Sequence, residues 1–280
     1  MWGKVLQKVR DKRPRVHCIT NYVTANDCAN ALLSLGASPI MADYSGEAEE
    51  ITAACSALCI NMGTINADRA EAMIRSGMRA NELRLPVILD PVGVGGSEMR
   101  KKTAKRLLEN VRFAVIRGNI SEIKTLALGV GGAGIDADLK DKITEDNLKE
   151  ALGFLQSFSQ RTGAVIMATG ETDYIVGEGR ACAVKNGSAK MSLITGGGCM
   201  LSALTAAFAA SHGDMFEAAS AAAVFWGICG ERAADRMKDG DGSGSFRAYL
   251  IDAVGTVSEL DTDKMAKTQL YDLKEGARCI

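Results

Sequence analysis

The sequence predicts an α/β protein built on a largely parallel central sheet flanked by helices, and three observations predict it. Short runs that are apolar throughout recur along the chain, longer segments of helical period separate them, and nearly every short run exits into polar or glycine-rich residues. Strands buried on both faces require continuously apolar runs, and helical crossovers cover those faces. Alternation of the two patterns is the mark of the class.

The elements follow in order. The opening segment, MWGKVLQKVRDKRP, predicts an amphipathic helix and carries neither the long apolar stretch nor the small-residue cleavage site of a secretory signal. VHCIT (16–20) is the first expected strand, and a short loop leads from it to a helix beginning near Asn26. SPIMA (38–42), ALCINMG (57–63), PVILDP (86–91), FAVIRG (113–118) and AVIMATG (164–170) continue the sheet. Between them EAEEITAACS, NADRAEAMIRSGMRANELR, SEMRKKTAKRLLENV and TEDNLKEALGFLQSFSQRTG read as helices. DYIVGEG and ACAVKNG, joined by a short glycine-containing turn, predict a hairpin at the sheet's edge, after which the chain reads as helical to its end. Residues 129–141 and 239–245 are expected loops. The whole of 1–280 is expected to form a single domain.

Composition narrows the partners. With 280 residues, 47% of them hydrophobic, the chain can bury a large core. Its 33 Lys and Arg balance 34 Asp and Glu, so no overall field draws it to nucleic acid or to an acidic membrane surface, and a small ligand is expected. The longest small-apolar stretch, 218–230, is too short to span a bilayer, and a cytoplasmic location is expected. Eight cysteines sit mostly inside apolar runs and are expected to be reduced and packed in the core. Cys55 and Cys59 lack the further ligands of a zinc site, because His17 and His212 flank no second cysteine pair.

Ligands of open α/β sheets bind beyond the carboxyl ends of the strands. Thr20-Asn21, Ala42-Asp43, Gly63-Thr64, Asp90-Pro91, Arg117-Gly118-Asn119 and Thr169-Gly170 therefore outline an expected rim. Gly129, Gly131 and Gly134 spell GxGxxG, yet they follow a helical segment instead of a strand, and no Gly-Lys-Ser or Gly-Lys-Thr of a phosphate loop occurs. TGGGCMLSAL (195–204) is the better phosphate site: bare backbone N–H groups of Gly196, Gly197 and Gly198 at a helix start suit an anion. The competing reading is a glycine turn that only lets the helix pack close to the sheet.

Taken with RGNISEI and DPVGVG, that stretch resembles the ribokinase-like superfamily of ATP-dependent small-molecule kinases, and within it the hydroxyethylthiazole kinase family. VHCITNYVTANDCANALLSLGASPIMA, LPVILDPVGVGGS, IRGNISEI, ATGETDYIV, ITGGGCMLSAL and GSGSFRAYLIDA are similar to that family in the same order, over essentially the whole chain. The cysteine after the glycine turn is the sharpest sign, since most superfamily relatives carry Asp there. The chain departs from the family pattern at Gly197, where Thr or Ala is usual, at Tyr22, and over Asp43-Tyr44-Ser45-Gly46.

The resemblance implies ATP-dependent phosphorylation of the hydroxyl of 4-methyl-5-(2-hydroxyethyl)thiazole, a step of thiamin salvage, with Mg²⁺ as cofactor. The alternatives are a kinase for another heteroaromatic alcohol, such as a hydroxymethylpyrimidine, and a non-kinase nucleotide-binding or dehydratase-like protein on the same fold. By the resemblance Arg117, Thr169 and Asn119 bind ATP, while Glu122 and Asp90 order magnesium, in part through water. Ordinary helix capping is the other reading of Asn119 and Glu122. Met41 and Gly196 match thiazole-site positions, with Asn21, Val23, Gly63 and Thr64 as further pocket candidates, and Met41 also reads as core. Cys199 is expected to be the catalytic base, its thiol acidified by the helix N-terminus, or else a small buried residue chosen for fit. No inserted β lid is encoded, and the resemblance implies a homotrimer with active sites between subunits.

Overall fold

In the computed structural model, which describes residues 1–129, 143–274 and 278–279, the apolar runs become strands β1 (Arg15–Ile19), β2 (Ser38–Ile40), β3 (Ala57–Asn61), β4 (Val87–Asp90), β5 (Val115–Asn119) and β6 (Val165–Thr169). They are followed by β7 (Asp173–Gly177), β8 (Arg180–Val184), β9 (Thr268–Asp272) and β10 (Arg278–Cys279). The helices are α1 (Trp2–Lys12), α2 (Ala25–Leu35), α3 (Ala48–Ala53), α4 (Ala67–Glu82), α5 (Glu98–Asn110), α6 (Ile120–Gly129) and α7 (Leu148–Thr162), then α8 (Gly197–Ser211), α9 (Met215–Arg236), α10 (Ser243–Thr256) and α11 (Glu259–Met265). The strands form one sheet in the order β10-β9-β8-β7-β6-β5-β4-β3-β1-β2. From β2 to β6 every pairing is parallel, and from β6 onward every pairing is antiparallel.

Side-chain alternation divides the core into two layers. Along β3, Ala57 and Cys59 join one layer with Leu32 of α2, Phe208 of α8, Phe225 of α9 and Phe246 of α10. Leu58 and Ile60 join the other with Met73 of α4, Leu107 of α5, Ile123 of α6 and Phe158 of α7. Because α8 and α9 are buried on almost every side, their sequences are apolar nearly all round. Cys18, Cys28, Cys55, Cys59, Cys182 and Cys229 are buried free thiols, as their apolar context predicts. Among the described residues no cluster of three or more His, Cys, Asp or Glu is arranged to hold a metal, and no helix is long and apolar enough to cross a membrane.

Three expectations are corrected. The β7–β8 hairpin forms but is not the edge of the sheet, and the chain is not helical to its end. Thr268–Asp272 pairs antiparallel with β8, and β10 pairs with β9. The outer edge of β8 would otherwise present a row of unpaired backbone groups, and covering it outweighs the weak strand signal of TQLYD. The expected 239–245 loop is also shorter, since α10 begins at Ser243 with Gly242 as its N-cap. Gly129 ends α6, while 130–141 of the other expected loop, with Gly131 and Gly134 of the GxGxxG match, lie outside the described residues.

The first helix closes the fold. α1 packs on α8, α9 and α11, Gly3 N donates to Asp263 Oδ1 at 2.9 Å, and Arg10 reaches Glu259 Oε1 at 2.7 Å and Val257 O at 2.8 Å. A Cβ on Gly3 would overlap the Glu259 carbonyl. Between β1 and α2 lie only residues 20–24, so no lid strand is inserted there, as expected.

Candidate active site

Because β1, β3, β4, β5 and β6 run parallel, their carboxyl ends share one rim, and α8 packs across β1, β3 and β4 with its N-terminus there. Asp90, at the end of β4, is fully buried. Its Oδ2 accepts from Ser202 Oγ at 2.7 Å and Asn61 Nδ2 at 2.9 Å, with Arg117 Nη1 at 3.7 Å. Oδ1 has no partner. Burial raises this carboxyl above the ordinary range, against the pull of Arg117, Ser202 and Asn61.

Arg117 crosses from β5 to donate through Nη2 to Thr169 Oγ1 at 2.7 Å, while its Nε has no partner. The guanidinium lies against α8, so a Cβ on Gly198 would overlap it. Gly196, the N-cap, takes φ 87°, and a Cβ there would overlap the Thr24 side chain. A Cβ on Gly197 meets nothing nearer than the Met191 carbonyl at 3.8 Å. Of the three glycines, only Gly196 and Gly198 are required by the space around them. The Thr or Ala usual in the family at position 197 has room.

Arg117, Thr169, Asp173, Lys185, Gly197 and Gly198 are among the residues lining an open cavity of about 950 Å³. Asp173 accepts from Gly170 N at 3.0 Å. Burial pushes its carboxyl up to about 6, against that hydrogen bond and the Arg117 charge.

Cys199 lies away from that cavity's lining, among amides. Its Sγ accepts from Asn61 Nδ2 at 3.2 Å and Asn21 Nδ2 at 3.4 Å. Asn21 Nδ2 also donates to Asn61 Oδ1 at 3.1 Å, and Asn21 Oδ1 caps Thr24 N at 3.1 Å. A polar chain thus runs from α2 through Cys199 to Asp90. The expected acidification is reversed: burial and the Asp90 charge push the Cys199 thiol up, and hydrogen bonds from Thr24, Asn21 and Asn61 only partly oppose them.

Asn119 and Glu122 form the capping arrangement. Asn119 Oδ1 accepts from Glu122 N at 2.8 Å, Glu122 Oε2 accepts from Asn119 N at 3.0 Å, and Glu122 Oε1 accepts from Gly93 N at 3.0 Å. Each Glu122 oxygen keeps unused lone-pair capacity at the rim.

Of the acceptor-side candidates, Asn21, Gly63 and Thr64 come together. A Cβ on Gly63 would overlap the Asn21 side chain, and Tyr22 N donates to Thr64 Oγ1 at 3.4 Å. Met41 is half-buried and packs against the core, and Val23 is exposed beside exposed Tyr22. Asn61, Ser202 and Asp173 are not found by reading the sequence alone. Asn61 and Ser202 did leave a signal, as isolated polar residues in the apolar runs ALCINMG and CMLSALTAAF.

A model of the hydroxyethylthiazole kinase family matches residues 6–259. Hydroxyethylthiazole kinase of Clostridium acetobutylicum is 53% identical over 269 residues, covering 95% of this chain and 97% of its own length. A solved hydroxyethylthiazole kinase from Pyrococcus horikoshii superposes with a TM-score of 0.85 at 33% identity, covering 97% of this chain and 99% of that one. A ribokinase-like superfamily protein from Enterococcus faecalis superposes with a TM-score of 0.63 at 13% identity, over 92% of this chain and 95% of that one, a likeness of fold alone.

Proposed function

Because this chain belongs to the hydroxyethylthiazole kinase family, we propose that it transfers the γ-phosphoryl group of ATP to the hydroxyl of 4-methyl-5-(2-hydroxyethyl)thiazole, giving the thiazole phosphate and ADP. The observation that carries this reading is the N-terminus of α8, with Arg117 against Gly198 on the side of the large cavity and Cys199 beside Asn21 and Asn61.

In this reading ATP occupies the large cavity, with Arg117 and Thr169 at its phosphates and Asn119 at the neighbouring strand exit. A guanidinium suits phosphate because its donors are fixed in a plane. The N–H groups of Gly197 and Gly198 receive the transferring group at the positive end of the helix. The alcohol lies among Asn21, Val23, Met41, Gly63, Thr64 and Gly196, its oxygen beside Cys199. The oxygen attacks phosphorus, the bond to the β-phosphate oxygen breaks, and the hydroxyl proton leaves toward Cys199 once its thiol is ionised. Because transfer is loose and dissociative, alignment of these groups does most of the work.

The residues present fit a divalent cation. Asp90 offers a buried carboxylate oxygen without a partner, and Glu122 offers two oxygens each carrying one backbone hydrogen bond. Magnesium keeps several waters and takes only one or two protein carboxylates, so a three-residue cluster is not required. Asp90 and Glu122 would hold it, partly through water, and when bound it would neutralise charge on the phosphate oxygens.

We also read the chain as one domain, supported by its single continuous sheet, and as a homotrimer in the cytoplasm. With no lid beyond β1, exposed Tyr22, Val23 and Tyr44 are the apolar surface near the rim that a second chain would cover. Light scattering on the active enzyme should give the mass of three chains, and a fully active monomer would remove the assembly.

The activity is tested by ADP release with Mg-ATP and a panel of alcohols. The thiazole alcohol should drive turnover well above the alcohol-free rate and above hydroxymethylpyrimidine. Preference for the pyrimidine would reassign the acceptor, and ATP binding without alcohol-dependent ADP release would favour a non-kinase protein on this fold.

A further inference from the structure

Residues 43–46 depart from the family pattern, and the structure gives them partners. Asp43 forms an ion pair with Arg69, the third residue of α4. The same guanidinium donates through Nη1 to Thr64 O at 3.0 Å and Thr64 Oγ1 at 2.9 Å. Its side chain is only 12% exposed, against 42% for Asp43, so the cation is largely shielded while joining two loops.

Thr64 needs such a hold. It takes φ 43°, a left-handed conformation that a β-branched residue rarely adopts without outside support. Thr64 Oγ1 in turn accepts from Tyr22 N at 3.4 Å, extending the connection to the loop after β1.

The neighbouring residue of α4 grips the same stretch. Asp68 accepts from Ser45 N at 3.3 Å and from the Ser45 hydroxyl. On the inner side, Ala42 O lies 2.8 Å from His17 Nε2, which must carry the hydrogen because a carbonyl only accepts. The loop of Met41 is therefore held from both sides. The rim loops 41–46 and 62–65 meet at the first turn of α4, and the loop 20–24 joins them through Thr64.

We propose that Arg69 is a positioning residue for the acceptor alcohol: by joining Asp43 to Thr64 it fixes the separation of the Met41 loop from the Gly63–Thr64 loop, and so the width of the acceptor pocket. The inference rests on placing the alcohol among Met41, Asn21, Gly63 and Thr64. It adds a determinant of acceptor selectivity that itself touches no substrate.

Arg69→Gln, Arg69→Lys, Asp43→Asn and the double variant Asp43→Asn/Arg69→Gln are compared by steady-state kinetics in both substrates, with Met41→Ala as reference. Arg69→Gln should raise the KM for the thiazole alcohol about tenfold or more while leaving the KM for ATP near that of the parent, a loss of acceptor-side binding. Its activity on bulkier thiazole alcohols should fall less than on the parent substrate. Adding Asp43→Asn should cost little beyond Arg69→Gln, because both remove one connection. Lys at 69 keeps the charge opposite Asp43 but cannot span Asp43 and Thr64 with one planar group, so it should recover only part of the loss.

Should Met41→Ala raise the acceptor KM while Arg69→Gln leaves it unchanged, or raises both KM values alike, the clasp is overturned and the pocket assignment stands. If neither variant moves the acceptor KM, the pocket assignment itself fails. If Arg69→Gln does not fold, Arg69→Lys carries the same two-substrate comparison, and an unmoved acceptor KM there overturns the proposal.

Discussion

Gly198→Ala should lower kcat/KM for ATP by on the order of 10²–10³, the range seen when one preorganised donor at a reacting oxyanion is lost, while the fold survives. An added Cβ at 198 overlaps both terminal nitrogens of Arg117, and those nitrogens end a flexible side chain, so the arginine yields before the helix does. When it yields, the 2.7 Å bond to Thr169 breaks and the cation leaves buried Asp90. The substitution therefore acts as a remote Arg117 variant. Arg117→Ala should have a similar effect, and the double variant should be little worse than either single one. Gly197→Ala is the control: its Cβ has room, and replacing a helical glycine should stabilise the protein by roughly 0.5–1 kcal/mol with activity retained. Parent-like ATP kinetics for Gly198→Ala, or losses that multiply in the double variant, would separate Gly198 from Arg117 and defeat the argument.

Cys199→Ala should reduce kcat by about 10²–10⁴, the usual cost of losing a positioned base, with the KM for the thiazole nearly unchanged. The pH dependence carries the sharper test. Burial and Asp90 hold the thiol above its ordinary value of about 8.5, so the protonated, inactive form dominates at neutral pH. The parent kcat should climb with pH through neutrality and level only once the thiol has ionised. In Cys199→Asp the titrating group is a carboxyl of reference pKa about 3.9. Even if Asp90 raises it, the acid limb should fall by several pH units and activity should persist at neutral pH. Near-parent kcat in both variants, with the limb unmoved, would make Cys199 a packing residue and leave the chemistry to the glycine turn and Arg117.

The sequence made the parallel sheet legible because runs such as ALCINMG and PVILDP are apolar for their whole length, a requirement set by burial on both faces. It did not make β9 legible, because TQLYD is half polar and becomes a strand only when β8 offers an open edge about eighty residues earlier in the chain. Arg117 and Thr169 stand at strand exits and Gly196 caps a helix start, so their placement on the rim could be read from motifs. The Cys199 thiol could not be read correctly. Local sequence places it at a helix N-terminus, where a lowered value is expected, but burial and the charge of Asp90, 109 positions away in the chain, push the thiol up. Asp173 escaped because a carboxylate opening a hairpin strand looks like any solvated strand end until Gly170 and Arg117 are seen beside it.

The closure of α1 on the last helices has a consequence for the making of the molecule. Arg10 and Gly3 find their partners at Val257, Glu259 and Asp263. This helix therefore waits for about 250 further residues of synthesis before that face can dock. At about 5–20 residues per second, roughly 250 residues of synthesis take about 12–50 s. Throughout that interval Trp2, Val5, Leu6 and Val9, all buried in the finished protein, lack the α11 end of their packing surface. The amphipathic character of α1, with Lys4, Lys8 and Lys12 outside its buried set, gives the nascent segment charge with which to stay dissolved until the far end arrives.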